Sequence, residues 1–190
     1  NAVVRDGDVV YVGGNFTRIG PPTGGGVALD AASSALPAPF PRVNGQVDAT
    51  VSDGAGGWYI GGTFTTVGGV PRSNIAHLAA DKTLTPWDPG ADGSVTALAL
   101  SGSTVYVAGH FGTAGGAARS NLAALDATTG GATPWNPNPS GTVSALAMSG
   151  STVYAGGYFS TIGDSTRRNI AALDATTGFA TGWNPKVDGS

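Results

Sequence analysis

The sequence lacks cysteine and glutamate altogether and contains only 2 histidines. The absence of cysteine excludes disulfides and thiolate metal sites, while remaining compatible with secretion. The absence of glutamate excludes every acid–base pair that needs this residue. Because metal-ligating side chains are so few, we expect no bound metal and no cofactor.

Charge and long apolar runs are also scarce. Charged residues make up 11% of the 190 residues, against about 25% in an average domain, and the formal net charge is −3. The sequence has no run of basic residues that could bind a phosphate backbone, so we expect no nucleic-acid partner. No apolar stretch reaches the roughly 20 residues of a membrane-spanning helix, so we expect no membrane insertion.

The motifs of common enzyme classes are missing too. The sequence contains no Gly-x-Ser-x-Gly elbow, no His-Glu-x-x-His, no P-loop and no dinucleotide fingerprint. These absences favour a protein that is not an enzyme, although catalysis by a pair of aspartates stays open.

A repeated unit rich in glycine dominates what is present. Trp87, Trp135 and Trp183 are spaced 135 − 87 = 48 and 183 − 135 = 48 residues apart. A period of roughly 40–50 residues with glycine and aromatic landmarks is typical of a β-propeller. We therefore predict an all-β fold, a single β-propeller over residues 1–190, with four blades of about 48 residues and four antiparallel strands each.

The repeat divides the chain into four copies, named copy one to copy four (residues 2–46, 47–94, 95–142 and 143–190). Copy three is one of the two most regular. Runs rich in Val and aromatic residues are separated there by short segments of Gly and small polar residues, which are typical of turns. This pattern predicts strands A (Val95–Leu100), B (Thr104–Phe111), C (Ser120–Asp126) and D (Ala132–Trp135).

Copy one departs from this pattern. The sequence PPTGGG stands where later copies have Arg-x-Asn, and Phe40, within Ala38–Pro41, takes the tryptophan place. The chain ends at Asp188-Gly189-Ser190, in phase with the start. Since complete propellers have about 4–8 blades, we expect further blades, giving a ring of six to eight, or a second copy of the chain.

The pattern TVYVGGxF…GGxxRxNLAALD…TxWNPxxxG resembles the delta-60-type β-propeller repeats of secreted or surface-attached bacterial proteins. The resemblance covers essentially the whole chain and implies a secreted or cell-surface location. The run from Ala124 to Trp135 is also similar to the tryptophan-docking motif of quinoprotein propellers, although Trp135 stands one residue further from Gly130 than in that motif.

Residues that recur in every regular copy are interpreted as structural. The tryptophans are expected to lie buried between adjacent blades, with stacking platforms for sugar rings as the alternative. The Arg-x-Asn places are expected to satisfy loops or to pair with Asp126 or Asp174, with capture of an acidic ligand as the alternative. The structural set is Trp87, Trp135, Trp183, Arg72, Asn74, Arg119, Asn121, Arg168 and Asn169.

The aspartates that end strand C (Asp30, Asp126 and Asp174) are expected to bind backbone N–H groups of the following turn. The pair Asp6 and Asp8 is interpreted as a hairpin turn, since it lacks the further ligands of a calcium loop.

One position varies while its flanks stay nearly constant. The x of Gly-Gly-x-Phe holds Asn15, Thr63, His110 and Tyr158, which are our candidate ligand-binding residues. If these side chains face a groove or a central channel they line a binding site; if they face a neighbouring blade they are merely adaptable. His77 replaces the alanine of later copies, and no metal-ligand spacing accompanies it.

The sequence therefore favours a non-enzymatic scaffold, secreted or at the cell surface, that binds a protein or a glycan at a propeller face. Two alternatives remain. The chain is either part of a quinoprotein-like or hydrolytic enzyme whose active residues lie outside it, or a purely structural spacer.

Overall fold

The computed structural model describes residues 2–17, 24–35, 40–185 and 187, and within these ranges the chain is all-β with no helix. Val, Tyr and Ile fill the paired strands, and glycine-containing turns such as Ser101-Gly102-Ser103 join them. Ala38, Pro39 and the chain end Asp188–Ser190 lie outside the described residues.

Copies one and two form a seven-stranded sheet. Its halves are antiparallel and are joined by a short parallel pairing in which Gly24 lies opposite Val43. The strands are β1 (Ala2–Asp6), β2 (Val9–Gly13), β3 (Gly24–Asp30), β4 (Val43–Ser52), β5 (Trp58–Val67), β6 (Val70–Pro71) and β7 (Ile75–Leu78).

Copies three and four each form a three-stranded antiparallel sheet and a separate two-stranded hairpin. The sheets correspond to predicted strands A, B and C. Their strands are β8 (Ser94–Ser101), β9 (Thr104–His110), β10 (Thr113–Ala114), β11 (Ala117–Ala118), β12 (Leu122–Asp126), β13 (Val143–Ser149), β14 (Thr152–Gly157), β15 (Thr161–Ile162), β16 (Ser165–Thr166) and β17 (Ile170–Asp174).

Predicted strand D is reduced to a single bridge in copy three, where Ala132 pairs with Leu125. The same isolated bridge joins Leu173 to Ala180 in copy four. Pro134, which has no N–H to donate to a ladder, follows this bridge in copy three, but copy four has Gly182 at the same place and an equally short pairing. The expected four-stranded sheet is therefore three full strands and one bridge.

The hydrophobic core lies between successive copies. One cluster joins Tyr11 of copy one to Trp58 of copy two, a second joins Trp87 to Val105 of copy three, and a third joins Trp135 to copy four. Strands β1, β4, β8 and β13 lie side by side in that order. The copies are thus packed face to face, each against the next, as blades of a propeller are.

Candidate functional site

The variable positions lie at equivalent places in strand B or shortly after it: Thr63 lies within β5, His110 ends β9, and Asn15 and Tyr158 follow β2 and β14. Their side chains are exposed, and that of Tyr158 is 76% exposed. The phenylalanine that follows is buried at 1% in Phe64, 6% in Phe111 and 5% in Phe159. Because successive side chains on a strand point to opposite faces, burying the phenylalanine turns the variable side chain outward.

A glycine in or just before strand A lies against the backbone of three of the four variable positions, Thr63, His110 and Tyr158. A Cβ on Gly93 would lie 2.1 Å from the carbonyl oxygen of His110, and one on Gly141 would lie 2.1 Å from that of Tyr158. No side chain fits there, so the glycine lets strand A approach the variable residue closely. The backbone around these positions is thus held in the same way in each of these copies, while the exposed side chain differs.

His110 has the most structured surroundings of the four. Its Nδ1 lies 3.3 Å from the Oγ1 of Thr142, which stands just before strand A of copy four. It also borders an open depression of about 400 Å³ with Asp92 and Asn121. The depression offers hydrogen-bonding groups at the boundary between two copies.

The Asp92 carboxylate in this depression already has partners. It accepts hydrogen bonds from the amides of Gly112 (2.8 Å) and Thr113 (2.9 Å). These bonds hold its pKa below the ordinary value. Asp92 is therefore an anchor for the loop after strand B, and in copy four Ser140 accepts the amides of Ser160 and Thr161 in the same way.

The aspartates ending strand C bind the following turn, as expected. Asp126 Oδ1 accepts the amides of Thr128 (3.0 Å) and Thr129 (2.6 Å) and the Thr129 hydroxyl (2.9 Å). Asp174 makes the same bonds 48 residues later. Hydrogen bonds from the amide and hydroxyl of Thr129 are the main cause of a lowered pKa of Asp126.

The recurring arginines form hydrogen bonds to the segment that was predicted as strand D. Arg119 donates from its two terminal nitrogens to the carbonyls of Ala118 (2.7 Å) and Thr133 (2.6 Å). In copy four these bonds come from Arg167, to Thr166 and Thr181.

The assignment of the arginine place to Arg168 is therefore wrong by one residue. Arg168 is exposed, while Arg167 stands two residues before Asn169, as Arg119 does before Asn121. Arg72 fills this place in copy two and also lies 3.5 Å from Asp88 rather than near Asp126 or Asp174.

The asparagines take a backbone conformation that few residues adopt. Asn74, Asn121 and Asn169 have φ of 65°, 61° and 65°, in the left-handed region where asparagine is among the tolerated residues. The Asn74 side chain accepts from the amide of Phe64 (3.1 Å) and donates to the carbonyl of Ala91 (3.0 Å). These residues turn the chain into strand C.

Two of the three repeated tryptophans are buried, Trp87 at 6% and Trp135 at 5% exposure. Each makes an edge-on contact with a tyrosine of its own copy, with 5.1 Å between the ring centroids of Tyr106 and Trp135. Trp183 is 43% exposed, so the expectation of burial is wrong for this residue.

The sequence analysis did not single out Asp53, which pairs with His77 in copy two. Asp53 Oδ2 lies 2.9 Å from His77 Nε2, His77 Nδ1 lies 3.3 Å from Thr85 Oγ1, and the imidazole stacks on Tyr59 at 4.2 Å. Burial alone would raise the pKa of Asp53, but hydrogen bonds from Ala55, His77 and Gly57 outweigh it and hold the pKa low.

We expect Asp53→Asn to lower the free energy of unfolding by about 1 kcal/mol at pH 7, since it removes a charge-assisted hydrogen bond. When the pKa of a carboxyl is lower in the folded than in the unfolded protein, its charged form stabilises the folded state at pH values above the unfolded pKa of about 3.9. That stabilisation is lost as the pH falls through the pKa of the folded state. Urea denaturation should therefore show the deficit fading below about pH 4.

The matched control is His77→Ala in the Asp53→Asn background, because alanine occupies the His77 place in copies three and four. If the pair acts as a unit, the double variant should be more stable than the sum of the two single losses predicts. A deficit of Asp53→Asn that persists unchanged to pH 2.5 would contradict the proposed role of the charge.

In the part of the chain that the structure describes, no group of three or more His and Asp side chains is arranged to hold a metal ion. No helix among the described residues is long and apolar enough to cross a membrane. Freedom from metal stays a prediction, which thermal denaturation with and without a chelator would test.

Comparison with known proteins supports the propeller interpretation. Residues 56–84 match the family described as "Domain of unknown function (DUF5122) beta-propeller". This short match and the all-β architecture give the chain β-propeller character. No curated protein matches the sequence.

The fold resembles that of one computationally designed protein, and a second designed protein superposes less well. The crystal structure of the designed Ika8 protein superposes with a TM-score of 0.65 at 16% identity, covering 94% of this chain and 46% of that one. The designed Ika4 protein gives a TM-score of 0.47 at 19% identity, covering 71% of this chain and 69% of that one. This chain thus spans about half the length of the Ika8 chain, and the likeness concerns the fold alone.

Proposed function

We propose that this protein is a non-enzymatic β-propeller scaffold of the delta-60 type, located outside the cell or on its surface. Its ligand, a glycan or a protein, binds to the variable row, our name for Asn15, Thr63, His110 and Tyr158. The supporting observation is that these four side chains are exposed at equivalent places while the phenylalanine and glycine around them are nearly constant.

The chemistry of the variable row suits a polar ligand with an apolar face. Asn15, Thr63 and His110 offer donors and acceptors in strand B or shortly after it, and Tyr158 offers an aromatic ring that is 76% exposed. Aromatic rings bury much apolar area per side chain, and the tyrosine hydroxyl still forms hydrogen bonds. A sugar ring presents both C–H and O–H groups, which favours a glycan among the ligands considered.

The engagement of the aspartates supports a non-enzymatic role. Asp126, Asp174, Asp30 and Asp92 each accept backbone amides of a neighbouring loop. Hydrogen bonds from Ser or Thr hydroxyls and from backbone amides lower the pKa values of these aspartates, the Ser33 hydroxyl being the largest cause for Asp30, whereas a general acid at neutral pH needs a raised pKa. These carboxylates therefore serve turns.

We further propose that each copy is one blade, with the bridge at Ala132 or its equivalent standing in for the fourth strand. The four blades then form part of a larger ring. The support is the face-to-face packing of copies, with an apolar cluster at each of the three boundaries between them.

Affinity electrophoresis against a panel of polysaccharides tests the binding proposal. We expect at least one polysaccharide to retard the protein and Tyr158→Ala to weaken that binding about tenfold, equivalent to roughly 1.4 kcal/mol. His110→Ala should weaken it as well, because its ring nitrogens form hydrogen bonds at the same edge.

Phe179→Ala is the matched control. Phe179 is an exposed aromatic of the same copy (54%), but it follows the end of strand C, which pairs with the start of strand B. It therefore lies away from Tyr158, and its removal should leave binding unchanged. Equal losses for Phe179→Ala and Tyr158→Ala, or no retardation by any polysaccharide, would contradict a glycan site at the variable row.

A further inference from the structure

Copies two and three each dock on the next copy through a hydrogen bond from a tryptophan. Trp87 Nε1 of copy two donates to the carbonyl of Asp126 in copy three at 3.0 Å. Trp135 Nε1 of copy three donates to the carbonyl of Asp174 in copy four, also at 3.0 Å. The contact therefore recurs with the period of the repeat.

A tyrosine accompanies the tryptophan at each of these boundaries. Tyr59 donates its hydroxyl to the carbonyl of Ala127 at 3.4 Å, and Tyr106 donates to that of Ala175 at 3.2 Å. Both tyrosines are 4% exposed. An Asp-Ala dipeptide at the end of strand C is thus the acceptor for the Tyr–Trp pair of the preceding copy.

Copy four carries the same donors with nothing docked on them. Tyr154 and Trp183 make the edge-on contact at 5.5 Å and 88°. Among the described residues, neither the Trp183 indole nor the Tyr154 hydroxyl has a hydrogen-bond acceptor. Ala145 and Ala147 beside them are exposed. We call this surface, formed by Ala145, Ala147, Tyr154 and Trp183, the tail face.

The covered version of this surface is present in copy three. There Ala99 is 8% exposed, Tyr106 4% and Trp135 5%, and all three belong to the cluster shared with copy four. The tail face therefore has the shape and chemistry of an interface that the molecule already uses once per repeat.

Copy one carries the acceptor dipeptide, Asp30-Ala31, without a tryptophan docked on it. The Asp30 carbonyl accepts the Ser34 amide at 2.9 Å, as the Asp126 carbonyl accepts that of Gly130 at 2.9 Å. In the Asp126 turn the same carbonyl also takes the indole of Trp87. Asp30 has the same turn and retains that second acceptor position.

The apolar side chains on the same face of copy one are less covered than in copy three: Val12 and Leu29 are half-buried, whereas their counterparts Val107 and Leu125 are fully buried. Val3 pairs with Val12 in the register that pairs Leu98 with Val107. Leu98 packs into the cluster shared with the preceding copy, whereas Val3 is 73% exposed. We call this surface, formed by Val3, Val12, Leu29 and the Asp30-Ala31 carbonyls, the head face.

We propose that the tail face of one chain docks on the head face of a second copy of the same chain, and that two such contacts close a two-fold ring. The docked Trp183 donates to the partner's Asp30 carbonyl, and Tyr154 donates to the partner's Ala31 carbonyl. The contact continues the series Trp87–Asp126 and Trp135–Asp174. This proposal deepens the ring architecture proposed above and is independent of what the variable row binds.

Sedimentation equilibrium of the 190-residue chain tests the ring. The chain has a mass of 18.6 kDa, so a two-chain ring has 2 × 18.6 = 37.2 kDa. We expect the larger mass at micromolar concentration. Trp183→Ala on the tail face and Val3→Asp on the head face should each raise the dimer dissociation constant by about thirtyfold or more, the effect of removing an interface hot spot.

Both altered side chains are exposed within one chain, so the variants should keep the circular dichroism spectrum of the parent. Phe179→Ala removes an exposed aromatic outside both faces and should leave the dimer intact. Mixing Trp183→Ala with Val3→Asp chains adds a test of orientation. A mixed pair has one intact contact, between the unaltered tail of one chain and the unaltered head of the other, and should dimerise more strongly than either variant alone.

A monomer at all concentrations would overturn the proposal, as would an open series of growing oligomers. A dimer that Val3→Asp leaves unchanged would show that two tail faces meet each other, which also overturns it. Polysaccharide binding is measured separately, so failure of the ring leaves the scaffold function testable, and the reverse also holds.

Discussion

Trp135→Ala is expected to lower the free energy of unfolding by about 3–5 kcal/mol, the usual cost of truncating a buried aromatic side chain to alanine. Trp135 is 5% exposed and packs edge-on against Tyr106 at 5.1 Å. It belongs to the cluster between copies three and four, and its indole donates to the Asp174 carbonyl. The substitution thus removes apolar contacts and a hydrogen bond from one boundary.

Urea denaturation followed by circular dichroism measures this effect. Phe179→Ala is the control, because this aromatic is 54% exposed and such surface substitutions usually change stability by less than about 0.5 kcal/mol. A Trp135→Ala variant as stable as the parent would mean that the copies do not depend on the tryptophan contact. It would favour the alternative in which these tryptophans are platforms for sugar rings.

Gly157→Ala is expected to destabilise the protein by about 3 kcal/mol or more, at or above the upper end of ordinary overpacking. A Cβ at Gly157 would lie 2.2 Å from the Thr142 carbonyl oxygen and 2.8 Å from the Cα of Val143. Both are backbone atoms at a β-bulge, where the register shifts between Val143 and Ala145. The backbone cannot yield without breaking strand pairing between β13 and β14.

The adjacent residue supplies the control. At Gly156 a Cβ would find its nearest neighbours at 3.9 Å, an ordinary contact distance. Copy three has Ala108 at this place, fully buried. Gly156→Ala should therefore be neutral or slightly stabilising in the same denaturation experiment, since alanine restricts the unfolded chain more than glycine. Equal effects at Gly156 and Gly157 would contradict this account of the glycine pair.

Local chemistry made much of the fold predictable. The 48-residue period, the strands with valine and aromatic residues, and the turns after Asp126 and Asp174 were all visible in the sequence. These features depend on contacts within one copy, and the comparison of copies separated constant from variable positions. The same comparison identified the variable row and predicted nothing about whether its side chains face solvent.

Other features escaped prediction because their sequence pattern is too short to recognise or because they depend on contacts between separate segments. The small hairpins β10–β11 and β15–β16 have two residues per strand, too few for any periodic pattern. The Asp53–His77 pair joins residues 24 positions apart, one in the turn after β4 and the other in strand β7. Strand D was expected from its spacing, but it forms only one bridge in copy three and one in copy four, whether proline or glycine follows.

The sequence by itself determined the repeat, the strands within each copy and the identity of the side chains that vary, because these follow from local pattern and spacing. Only the tertiary structure decided which equivalent residues are covered. Trp135 and Trp183 have nearly the same sequence neighbours, yet one is buried and the other is 43% exposed. The physical reason is that burial of this tryptophan depends on the carbonyl groups and side chains of the following copy.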